Sequence, residues 1–168
     1  MKLSSRSLVT TLICVIVLAQ PQLIQAQQQQ AQQQRQLHIG KWTLNLGKSK
    51  FFGQAPKEQT QTYESQGEAT KVTVVGVDEN GNRVAYGYTF TPDGKAYPVV
   101  AAMPNGADTV EVRKIDPHTM ETTFKKGGKV IETTRTETSA DGKQLTITST
   151  KIDANGQPVK AVMVFDRM

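Results

Sequence analysis

The stretch Arg83-Val84-Ala85-Tyr86-Gly87-Tyr88-Thr89-Phe90-Thr91-Pro92-Asp93-Gly94 alternates large apolar residues with small or polar ones and then halts at Pro-Asp-Gly. Successive side chains of a strand point to opposite faces, so Val84, Tyr86, Tyr88 and Phe90 share one face and Ala85, Gly87 and Thr89 the other. Pro92-Asp93-Gly94 then offers the positive-φ position that a tight reversal needs. The same punctuation recurs on both sides, at Gln66-Gly67, Asn80-Gly81, Asn105-Gly106, Gly127-Gly128, Asp141-Gly142 and Asn155-Gly156. Between these turns lie runs rich in Thr, Val, Ile and Tyr, which read as strands over about 41–46, 58–65, 69–78, 83–90, 95–100, 108–115, 119–126, 129–138, 144–152 and 158–166.

The fold class is therefore all-β, an antiparallel up-and-down meander of about 8–10 strands. At most one short helix is expected, in the Leu46 to Phe52 link. An open meander would present two exposed edges, which invite aggregation. Closure into a barrel removes them. A two-sheet sandwich is the alternative, but it relies on long crossing connections, whereas the links here are short and favour pairing between neighbours.

The amino-terminal segment has a different character. Lys2 and Arg6 precede an apolar stretch from Leu8 to Ala19, and Ile24-Gln25-Ala26 has the form of a cleavage site. Residues 1–26 read as a signal peptide, with an apolar core well short of the ~20 residues a membrane-spanning helix needs. A secreted or periplasmic location after cleavage near Ala26 is expected, with no membrane span in the mature protein. Residues 27–37 read as a disordered Gln-rich tether, eight of the ten residues from Gln27 to Gln36 being Gln. Residues 38–168 then form a single domain.

Cys14 is the sole cysteine, so cleavage leaves no thiol and no disulfide. Lys2 and Arg6 are also the only charged residues before residue 27, so the chain's formal charge of +5 drops by two on cleavage. The remaining basic residues alternate with acidic ones, as in Glu111 and Arg113 or Arg135 and Glu137, and no nucleic-acid footprint is formed. A monomer is expected.

The opening Gly40-Lys41-Trp42-Thr43-Leu44 resembles the Gly-x-Trp first strand of lipocalins and fatty-acid-binding proteins, the calycin-type barrels. The chain closes on Val164-Phe165-Asp166-Arg167. In those families a basic residue of the last strand packs over the first-strand Trp at the closed end, and Trp42 and Arg167 match that pair by position. The resemblance implies a closed barrel with an interior able to take a small ligand. The Thr-Asp-Tyr element of secreted lipocalins and the Arg-x-Tyr carboxylate grip of the intracellular family are absent, so no ligand-binding residue is carried over. The stretch Gly40 to Lys50 also resembles the start of small exported bacterial proteins.

Catalytic chemistry finds no foothold, and no enzyme, metal or cofactor is expected. His38 precedes the first strand and His118 sits in the turn Asp116-Pro117-His118. Asp78-Glu79-Asn80-Gly81 and Asp153-Ala154-Asn155-Gly156 resemble calcium loops only superficially, since position 12 is Thr89 in one and Val164 in the other rather than Glu. Both read as hairpin turns. Glu111, Glu121, Glu132 and Glu137 are expected to face water. What remains is the barrel interior, for which the alternation nominates Tyr86, Tyr88, Phe90, Val110, Val112, Met120, Phe124, Leu145, Ile147, Met163 and Phe165, with Arg135 or Tyr97 as polar contacts. Two readings stay open. One is a carrier of a small apolar or amphipathic molecule; the other is a non-catalytic structural or interaction domain of the cell envelope with a filled barrel.

Overall fold

A computed structural model describes residues 37–168; the signal-peptide segment and residues 27–36 of the Gln-rich tether lie outside the described residues. Ten strands follow in chain order: β1 Gly40–Leu44, β2 Glu58–Gln66, β3 Ala69–Val77, β4 Arg83–Phe90, β5 Asp93–Val100, β6 Thr109–Lys114, β7 Thr119–Lys126, β8 Lys129–Thr138, β9 Gln144–Ile152 and β10 Pro158–Arg167. The link after β1 holds one 3-10 turn, Leu46–Lys48. Each strand pairs antiparallel with its sequence neighbours, and β1 pairs with β10, so the sheet is a closed barrel without a free edge. Among the described residues no helix is long and apolar enough to cross a membrane.

The turns behave as their composition dictates. Gly67, Gly81, Gly94, Gly106, Gly127, Gly128, Gly142 and Gly156 all have positive φ. The Asp78 carboxylate accepts hydrogen bonds from the Asn80 and Asn82 backbone N–H groups at 3.0 and 2.7 Å and from Asn82 Nδ2 at 3.0 Å. Asp153 accepts from the N–H groups of Asn155 and Gln157 in the same way. Both carboxylates thus bind their own turn.

Closure rests on the register Trp42 to Arg167, Thr43 to Asp166 and Leu44 to Phe165. It continues past the end of β1, where Asn45 N–H donates to Val164 O at 2.8 Å and Lys50 exchanges both backbone hydrogen bonds with Val162 at 2.7 Å. Arg167 completes the seam. Its guanidinium carbon stands 4.1 Å above the Trp42 ring. Its three nitrogens donate to the carbonyls of Gly142, Ile39 and Leu37 at 2.5, 2.8 and 2.6 Å. Leu37 is thereby tied to the barrel, so the ordered domain includes one residue that the sequence reading assigned to the tether. Gly40 has φ 139, and a Cβ there would collide with the Arg167 guanidinium, so only glycine lets the two strands meet in this way.

Trp42, Val110, Leu145 and Phe165 are fully buried, with Val72 and Val112 beside them at 1 % exposure. Removing Arg167 unties three carbonyls and a cation–π contact together. Arg167→Ala should lower stability by about 1–3 kcal/mol in chemical denaturation. Arg167→Lys should recover little of it, because a single ammonium cannot span three carbonyls in a planar fork; full recovery by Lys would show that charge alone holds the seam.

Candidate functional site

The two ends of the barrel differ. The β1–β2, β3–β4, β5–β6, β7–β8 and β9–β10 connections lie at one end; the Trp42–Arg167 pair and the β2–β3, β4–β5, β6–β7 and β8–β9 turns lie at the other. Toward the first end the interior holds a cavity of about 260 Å³. Its lining includes the apolar Val74, Tyr88, Phe124, Ile147 and Met163 and the hydrogen-bonding Gln61, Tyr63, Thr134, Thr136 and Ser149. The register explains the grouping, since Ile147 lies opposite Met163 and Thr136, and Ser149 opposite Thr134. The β5–β6 loop bends over the mouth and places Met103, Pro104 and Asn105 on the wall. Asn105 Nδ2 donates to Glu132 Oε2 at 2.9 Å, which fastens that loop to β8.

The three tyrosines remain protonated hydrogen-bond donors. Burial pushes the Tyr63, Tyr86 and Tyr88 hydroxyls up in pKa, and the nearby Glu132 carboxylate adds to the effect at Tyr86. Tyr63 donates to Gln61 Oε1 at 2.9 Å. Tyr88 meets Phe124 edge to face at 6.3 Å between centroids. The Ser149 hydroxyl is buried and has no hydrogen-bond partner among the described residues.

Of the residues nominated from the sequence, Tyr86, Tyr88, Phe124, Ile147 and Met163 do line this cavity. Val110, Val112, Leu145 and Phe165 are buried in the packed core and belong to no cavity wall. Phe90 and Met120 border a different void at the seam end. Arg135 is a correction. It is exposed on the outer face, with Nε donating to Glu137 at 3.1 Å, because its parity opposes that of the buried Thr134 and Thr136. Tyr97 is half-buried, and its hydroxyl bonds to Asp93 at 3.0 Å rather than turning inward.

Glu132 reverses the expectation that it faces water. It shares the inward parity of Thr134 and Thr136 and stands on the cavity wall. A bulge at Ile131, where Phe124 pairs with Glu132 and Lys125 with Val130, turns Val130 outward. The sequence reading also missed Gln61, Tyr63, Thr134, Thr136 and Ser149. The available signal was parity within β2, β8 and β9.

The void at the seam end is larger, about 610 Å³, but much of its wall is exposed turn and strand-end surface, including Ser65, Glu68, Lys114 and Pro117. His38 and His118 both border it. Among the described residues no three His, Cys, Asp or Glu side chains gather as metal ligands.

No family model matches the chain, and no curated protein does. Solved structures do. The zebrafish ileal bile acid-binding protein in complex with cholic acid is 16 % identical, with a TM-score of 0.53 over 79 % of this chain and 99 % of that one. Lobster apocrustacyanin A1 is 14 % identical, with a TM-score of 0.46 over 89 % of this chain and 69 % of that one. The chain and the zebrafish protein share a barrel fold, at a sequence identity that carries fold alone.

His38 supplies a pH dependence. Burial, then the Lys114 and Arg167 charges, lowers its pKa from 6.5 to about 4, and its ring packs edge-on against Tyr63. Since the folded state holds His38 neutral, the unfolded chain binds the extra proton first. The stability this contributes is complete above about pH 6.5 and is lost as pH falls toward about 4, by up to about 3 kcal/mol. Chemical denaturation at stepped pH should show that loss in the parent, and His38→Phe should flatten the pH 6.5 to 4 portion; parallel curves would refute it.

Proposed function

We propose that this chain is an exported, non-catalytic carrier whose barrel holds one small apolar or amphipathic molecule. The observation that carries the reading is the cavity of about 260 Å³, lined by apolar residues together with hydrogen-bonding groups. Small-molecule sites have that composition, an apolar body with a few placed polar groups. The zebrafish protein that shares the barrel is complexed with cholic acid, which supports a binding role for the same interior. Export is supported by Lys2, Arg6, the apolar Leu8 to Ala19 stretch and Ile24-Gln25-Ala26. The likeness of Gly40 to Lys50 to small exported bacterial proteins points the same way. A barrel without free edges favours a monomer.

Native mass spectrometry on protein purified from its own host should reveal a bound small molecule and a chain beginning near Gln27. A panel of amphiphiles should then include one that raises stability, by about 2.7 kcal/mol when present at a hundredfold excess over its Kd. An empty chain that no amphiphile stabilises would replace the carrier with a structural barrel domain. A chain retained in the cytoplasm with Met1 intact would remove the export step.

A further inference from the structure

We propose that the cavity selects a protonated amphipathic amine and turns away carboxylates, an inference that rests on the carrier reading above. The cavity wall contains Glu132, with Asp78 and Glu79 at the rim, and no Lys, Arg or His. Among the described residues no cation forms an ion pair with Glu132. Asn105 is bonded to Oε2, and a carboxylate has about four acceptor sites in all, so the group can accept from a further donor. A ligand carboxylate at this position would meet like charge, whereas an ammonium would complete a charge-assisted pair.

Two further features favour an amine. Tyr86 and Tyr88 present aromatic rings on the same wall, and a cation is attracted to such faces. Independently, Ser149 is 1 % exposed, lies on the inner face of β9, and its hydroxyl has no hydrogen-bond partner among the described residues. An orphaned buried hydroxyl costs stability and accepts readily from an N–H donor. The nearby lysines stand elsewhere, Lys57 beside the Gly81 turn and Lys126 beside Gly106, and neither lines the cavity. A cavity of about 150 Å³ holds benzene, so about 260 Å³ suits a ligand of roughly ten non-hydrogen atoms.

Calorimetric titration of the mature chain with decylamine, decanol and decanoate, each below its micellar concentration at pH 7, separates charge from chain length. Decylamine should bind at least about tenfold more tightly than decanoate, a tenfold ratio being about 1.4 kcal/mol. Glu132→Gln should reduce the ratio of amine to alcohol affinity by a similar factor. Decanoate binding as tightly as decylamine, or a ratio untouched by Glu132→Gln, would overturn the selectivity. Decanol binding with no amine preference would do the same while leaving the carrier reading intact. Binding by none of the three would remove both.

Discussion

Every other feature of this barrel depends on the hydrogen-bonded seam between its first and last strands. β1 contributes only Gly40–Leu44, so the pairing is extended by the chain that follows it, where Asn45 and Lys50 bond to the backbone of β10. Arg167 then ties the incoming Leu37 and Ile39 to the Gly142 turn while covering Trp42. Opening that seam would free two strand edges in a fold that otherwise has none, and would expose the layer containing Phe165 and Leu145.

The seam also sets where the interior is full. Beside it, Trp42, Phe165 and Leu145 are fully buried. Toward the other end the inward positions become Thr134, Thr136 and Ser149, whose side chains are too small to meet across a ten-stranded barrel. The void that remains is lined by these hydroxyls together with Phe124, Ile147 and Met163. Small polar residues at inward positions therefore create the cavity and furnish its hydrogen-bonding groups at once.

Much of this arrangement is legible in the residues. Val84, Tyr86, Tyr88 and Phe90 do share the inner face, the glycine turns fall where the composition places them, and Trp42 does lie under Arg167. The alternation in β4 and β7 sets Tyr86, Tyr88 and Phe124 on the inner face, and all three line the cavity. It failed where polarity was trusted over parity. Arg135 was assigned inward as a polar contact and Glu132 outward as a charged residue, yet strand geometry puts the even-numbered residues from Glu132 to Thr138 inside. The bulge at Ile131 interrupts that pattern, and Val130 beyond it points to solvent.

The sequence by itself determined the all-β class, the order of the strands and the turns between them. These follow from local rules, namely the two-residue period of a strand and the backbone freedom of Gly and Asn in turns. Only the tertiary structure decided which inward residues pack and which leave space, that Val110 and Leu145 are core while Ser149 and Glu132 bound a cavity. Whether an inward side chain meets a partner depends on the width of the barrel and on residues brought opposite it from distant strands, and no local pattern contains that information.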